Sequence, residues 1–179
     1  VATILTHPAV PILLRLAGGP RAVPGRLLAA GAIASVLPDV DAIGFWVGVP
    51  YEHLCGHRGI THSLAFACAL GAVAAARAAW FGASRRSVFL VIALSAASHG
   101  VLDALTDGGL GVAFLSPFSN ERWFFPWRPL VVAPIGLDGF FTRWGAEILL
   151  AEAICVWGPA LLIGYAFAAF RPKEGDAHA

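Results

Sequence analysis

Charge is what this sequence has least of. Only 13% of its 179 residues are Asp, Glu, Lys or Arg, against 58% hydrophobic residues and a mean hydropathy of +0.75. That balance excludes an ordinary soluble domain and makes lipid the expected solvent for much of the chain. The net charge is +1, so the concentrated basic face that releases counterions from phosphates is missing, and nucleic acid is not an expected partner. Cysteine is scarce too. Cys55, Cys68 and Cys155 form an odd set without C-x-x-C spacing, which excludes a disulfide framework and a zinc ribbon. Val1 to Val10 hold no basic stretch leading into a long apolar run, so no cleavable leader is expected there. The sequence has no internal repeat or low-complexity tract.

Long apolar runs are abundant. Ser63 to Phe81 and Glu147 to Phe170 each approach the roughly 20 residues that a hydrocarbon core of about 30 Å requires. Ser87 to Leu105 is a third such run, but its last turns carry His99 and Asp103, which lipid does not tolerate unpaired. Pro8 to Ala17 and Arg26 to Leu37 predict two shorter helices, the first broken by Gly18-Gly19-Pro20 and the second by Pro38. These two either form a partly inserted hairpin or the second resumes through Ala42 to Val49. Asp107 to Ala146 holds four prolines and nine Phe or Trp residues, which predicts a long aromatic loop, with Phe114 to Trp144 as a docking surface or an interfacial belt. The expected architecture is all-α: one membrane-embedded domain over residues 1–179, a polytopic bundle of four to five helices.

The chemistry sits in clusters: His7, Asp39 with Asp41, His57 with His62, and His99 with Asp103. If consecutive segments alternate direction, as short connections require, all of these fall at one membrane face. His99 and Asp103 are four apart, on one side of a helix, close enough to share a metal or to pair as imidazole and supporting carboxylate. Asp39 and Asp41 repel unless a cation lies between them or one is protonated, or else they decorate a solvated turn. In the His57–His62 block, Gly59 permits a tight bend and Thr61 or Ser63 caps the next helix, leaving the two histidines as ligand candidates. Cys55 is a weaker candidate, and His53 and His178 are expected to be loop and tail residues. Imidazole with carboxylate suits zinc, manganese or iron.

Arg58, Arg122 and Arg128 fall on the same side, where they either grip an anionic group or anchor a lipid headgroup. Arg15, Arg21, Arg26, Arg77, Arg85, Arg86, Arg171 and Lys173 fall at the opposite face. By the positive-inside rule that face is cytoplasmic and the histidine cluster looks outward, toward the periplasm.

The blocks Leu37-Pro38-Asp39-Val40-Asp41, His57-Arg58-Gly59-Ile60-Thr61-His62-Ser63, Ser98-His99-Gly100-Val101-Leu102-Asp103 and Ser116-Pro117-Phe118-Ser119-Asn120-Glu121-Arg122, in this order, resemble the bacterial inner-membrane family typified by YdjM, described as metal-dependent hydrolases. The resemblance implies a metal held by His7, Asp39 or Asp41, His57 or His62, His99 and Asp103. That family is in turn distantly similar to zinc-dependent phospholipase C and related nucleases. This chain has a single His-x-x-x-Asp element, so one or two ions are expected rather than three. The expected activity is hydrolysis of a phosphoester or another lipid-linked bond, with an amphipathic substrate and membrane lipid as partners. Asp39, Asp41, Asp103, Arg58 and Arg122 would be catalytic, and Arg128, Trp123 and Phe124 would bind substrate. The competing expectations are a metal or ion transporter and a structural protein whose metal ties helix ends together.

Overall fold

The structure, a computed structural model, describes residues 2–133 and 141–171. Among them the regular elements are helical, and strand-like pairing is limited to two isolated bridges, Thr106 with Leu130 and Val112 with Trp123. The expected all-α bundle is what is found.

Helix α1 (Ala9–Ala22) starts after Pro8 and is interrupted at Gly19, whose backbone (φ 80°, ψ 172°) leaves the helical region just before Pro20. Helix α2 (Gly25–Val36) does not end its segment at Pro38. The chain tightens into a 3-10 turn over Leu37–Ala42 and resumes as α3 (Ile43–Trp46), because proline is tolerated in a first turn, where its missing N–H would have no partner. Of the two alternatives left by the sequence, the resumed helix is the one adopted.

The single span expected over Ser63 to Phe81 is not formed. Ser63 caps helix α4 (Leu64–Ala75), its Oγ accepting the Phe66 N–H at 3.1 Å. The helix stops at Ala76, Arg77 turns away (φ −108°, ψ 24°), and α5 (Ala78–Phe81) folds Phe81 back among Val88 and Val91. With 12 residues, α4 is about 18 Å long and too short to cross alone. Burial of Phe81 outweighs continuation of an alanine-rich helix.

Helix α6 (Arg85–Ala104) is capped by Ser84 and runs uninterrupted for 20 residues. Helix α7 (Arg143–Glu152) is capped by Thr142 and passes through a π-helical turn, Ala153–Trp157, into α8 (Gly158–Ala169). Among the described residues, three segments are long and apolar enough to cross a membrane: Gly25–Trp46, Arg85–Ala104 and Arg143–Ala169.

Helix α6 is the axis of the bundle, with α2 and α4 against it, and α1 packs between α2 and α8. Leu27, Ala34, Phe81, Val88, Val91 and Ile92 form the main core, while Ala2, Leu102 and Leu130 close the far end. Leu162, Tyr165 and Phe167 remain exposed on α8, as expected of a helix apolar all round that faces lipid. Of the aromatic loop, Phe114 to Ala133 and Phe141 to Trp144 are described, and Phe118, Trp123, Phe125, Trp127 and Phe141 are exposed there. Pro134, Phe140 and His178 lie outside the described residues.

Candidate metal centre

Four segment ends meet at one place. His99 and Asp103, one turn apart near the end of α6, are both fully buried. Asp39 reaches them from the 3-10 turn after α2, its Oδ1 3.3 Å from His99 Nε2. His62 arrives from a 3-10 turn, Ile60–His62, with Nε2 3.5 Å from Asp103 Oδ2. Two glycines make this approach possible. A Cβ on Gly100 would stand 2.9 Å from the His62 carbonyl oxygen, and one on Gly59 would stand 2.3 Å from the Leu54 carbonyl oxygen. A side chain at either place would push the His62 turn off α6.

One atom from each of Asp39, His62, His99 and Asp103 lies within 4.8 Å of the others. Ligand atoms about 2.0–2.2 Å from a zinc ion stand roughly 3.3 to 3.6 Å apart in a tetrahedron, and the separations of 3.3 to 4.0 Å found here are close to that. The hydrogen bonds agree. Asp39 Oδ1, His62 Nε2, His99 Nε2 and Asp103 Oδ2 are buried and make no hydrogen bond of regular geometry; their contacts are close ion pairs with one another and with Arg58, an arrangement that a shared cation would satisfy more fully. Meanwhile the outward nitrogens are held: His99 Nδ1 meets the Ser35 carbonyl at 2.8 Å and His62 Nδ1 meets Asp41 Oδ2 at 3.1 Å. A carbonyl only accepts, so His99 Nδ1 carries the proton and Nε2 turns its lone pair inward, the arrangement that fixes a metal-binding tautomer.

Asp41 is a brace. Its Oδ1 lies 2.6 Å from His57 Nδ1, and its Oδ2 accepts the Thr61 hydroxyl and the Arg58 N–H as well as His62. Thr61 therefore serves Asp41 rather than capping α4. Asp41, His57 and His62 form a second group that could hold an ion, and His57 Nε2 is buried without a partner.

His7, expected as a ligand, comes from the turn before α1 and stacks on His99, with ring centroids 3.9 Å apart, but belongs to neither ligand group. Burial, then the neighbouring His99, pull its pKa down to about 3. His62 goes the other way: burial opposes its charge, but hydrogen bonds to Asp103 and Asp41 outweigh burial and push it up to about 9. Without a cation, a proton on His62 takes up part of the cluster's negative charge.

The arginines divide. Arg58 is buried, with φ 62°, its Nε 3.1 Å from Asp103 Oδ2 and its terminal nitrogens on the Gly108 carbonyl and Thr106 Oγ1. Arg122 donates to the carbonyls of His57 and Tyr51, bracing one loop against another. Arg128 is exposed, its guanidinium 4.8 Å above the Phe124 ring. Trp123 is half exposed. Cys55 and His53 are exposed and belong to neither ligand group. Sequence reasoning missed Glu152, which is 1% exposed and accepts hydrogen bonds from Thr3 and Thr6. A lone carboxylate deep in an apolar run was the available signal.

Fold and site together define a multi-pass helical membrane protein with a buried histidine–carboxylate centre at one end of the bundle. The chain belongs to the YdjM inner membrane protein family, whose sequence model matches residues 2–173. It is 41% identical over 162 residues to the inner membrane protein YbcI of Escherichia coli (strain K12), covering 90% of this chain and 94% of that protein. The inner membrane is accordingly its location. No solved structure matches it.

Proposed function

We propose that the protein is a membrane-bound metal-dependent hydrolase that cleaves a phosphoester or another lipid-linked bond. The observation that carries the reading is the convergence of four buried candidate ligand atoms on Asp39, His62, His99 and Asp103, none of them in a regular hydrogen bond, with both histidines held from behind. This nitrogen and oxygen set suits zinc, and accepts manganese or iron. The Asp41–His57–His62 group leaves room for a second ion.

A divalent cation, when bound, supplies Lewis acidity to water and to the bond under attack. The chain's own residues do the rest. The Asp39 side chain is 29% exposed where those of His62, His99 and Asp103 are at 0%, so solvent and substrate approach from its side. His57, fixed through Nδ1 by Asp41, keeps Nε2 free to accept a proton from water and return it to a leaving group. Arg58 sets a fixed positive charge beside Asp103, where negative charge develops. Trp123, Phe125 and Trp127, with Arg128 over Phe124, suit an amphipathic substrate whose chains lie on rings while its headgroup meets the guanidinium. The ligands lie at segment ends, whereas transport sites favour the midplane. By the positive-inside rule, the basic residues expected at the opposite face would turn the site toward the periplasm; of these, Lys173 lies outside the described residues.

Elemental analysis of the purified protein, paired with a panel of phospholipids, lipid-linked phosphates and esters, tests this reading. At least one transition-metal ion per chain and chelator-sensitive hydrolysis are expected. Metal without any turnover would leave a structural centre that ties helix ends together, and protein that takes up no metal would end both readings.

A further inference from the structure

Glu152 lies inside the 27-residue segment Arg143–Ala169 yet is only 1% exposed. A carboxylate at such a position is costly unless satisfied, and its partners all come from one stretch of chain. Its Oε1 accepts the Thr3 N–H, and its Oε2 accepts the Thr3 hydroxyl and the Thr6 hydroxyl, the last at 2.7 Å. Thr3, Thr6 and His7 are buried, while Ile4 and Leu5 between them are exposed. The stretch is thus pinned at its polar residues. A further pin is the Ala2 N–H, which donates to Asp103 Oδ1 at 3.2 Å. The π-helical turn Ala153–Trp157 begins directly after Glu152. Its extra residue rotates α7 relative to α8, so that α8 can pack on α1 while α7 turns Glu152 inward.

On the reading that the cluster holds a divalent cation, we infer that Glu152 is a positioning residue: it clamps Ala2–His7 across the cluster and so holds the His7 imidazole stacked against His99, one of the candidate ligands. The chemistry calls for a carboxylate. Both oxygens face donors only, one of them a backbone N–H that cannot reorient. A glutamine can keep its carbonyl on that N–H and offer its amide to two hydroxyls, which can rotate to accept. An alanine can do neither, and the Thr3 and Thr6 groups would be left buried and unpaired.

The test uses the whole chain in detergent and two readouts. Hydrogen exchange of the metal-free protein reports the clamp, and titration with Co²⁺, followed by visible absorption, reports the ligand set. Glu152→Ala should speed exchange at residues 3–9 at least tenfold. It should also weaken Co²⁺ binding by about 10–100-fold and give a cobalt spectrum like that of His7→Ala. Glu152→Gln should restore most of both, and adding His7→Ala to Glu152→Ala should cost nothing more, because the two changes remove one interaction. If Glu152→Ala fails to fold, the paired Thr3→Val and Thr6→Val changes remove the hydroxyls at nearly constant volume and should act in the same direction. Unchanged exchange in that pair overturns the clamp without reference to metal. Faster exchange with unaltered cobalt affinity and spectrum overturns the positioning role. A wild-type chain that takes up no cobalt overturns the metal reading and His7's place in it, and exchange alone then judges the clamp.

Discussion

His7 lies flat against His99, the two ring planes 13° from parallel, and both of its nitrogens are buried without a hydrogen-bond partner. Two imidazoles so close cannot both be charged, and the pKa of about 3 keeps His7 neutral. A neutral imidazole with a free lone pair beside a carboxylate cluster is equipped to coordinate a metal.

His99→Ala should therefore strip the protein of most of its metal, with a smaller loss for His7→Ala. Metal analysis of detergent-folded variants measures both. Full stoichiometry in His99→Ala would remove the ligand set from consideration.

Asp41→Asn should lower metal affinity by about 10–100-fold although Asp41 is not assigned to the first site, because losing an outer partner of a ligating histidine typically costs that much. The loss of hydrolysis should be larger, since His57 loses its orientation as well. Equal losses in affinity and turnover would leave His57 without a role in proton transfer.

Cation uptake should expel a proton. In the metal-free protein His62 titrates near 9, above its ordinary 6.5, so at pH 7 it is charged and must be neutralised before Nε2 can coordinate. Affinity should rise about tenfold per pH unit between roughly 6.5 and 9 and then level off. The stability that charged His62 gives the metal-free protein runs the other way: it is present below pH 6.5 and lost as pH rises through about 9. Calorimetry in two buffers of different ionisation enthalpy counts the proton, and identical heats in both would contradict this.

Arg58→Ala should destabilise the fold by about 3–5 kcal/mol, the usual cost of breaking a buried ion pair from one side, because it leaves Asp103 without its guanidinium. Thermal unfolding in detergent reads this directly. A variant with wild-type stability but no turnover would show that Arg58 acts on substrate alone.

A cysteine placed at the exposed Asn120, in a Cys55→Ser background, should react with a membrane-impermeant thiol reagent in intact spheroplasts. Labelling only after the membrane is broken would invert the proposed orientation.

Much of the site was legible in the sequence because its spacing is a property of regular structure. His99 and Asp103 sit one helical turn apart, and alternation of segments carries His7, Asp39 and His62 to the same end. The roles within the site were less legible. Asp41 looks like Asp39 in a sequence, and only the three-dimensional path of the His57–His62 loop makes one a brace and the other a candidate ligand. Arg122 reads in sequence as an anion grip or a headgroup anchor, because its partners, the carbonyls of Tyr51 and His57, belong to the backbone and leave no mark on sequence. The stop at Ala76 escaped detection for a related reason: hydropathy sees Ser63 to Phe81 as one run, while the turn is decided by where Phe81 packs. Glu152 falls inside the apolar run from Glu147 to Phe170, and its partners Thr3 and Thr6 are too distant in sequence to mark it as buried.

The clamp between Thr3 and Glu152 also sets an order of assembly. Its partners are 149 residues apart in the chain, and Ala2 and Asp103 are 101 apart. During synthesis the early segments enter the bilayer long before Glu152 is made, so His7 must wait at an unfinished site until α7 has been threaded. The centre is closed by the late arrival of α7, and a chain truncated before that helix would carry the other ligand residues and no latch.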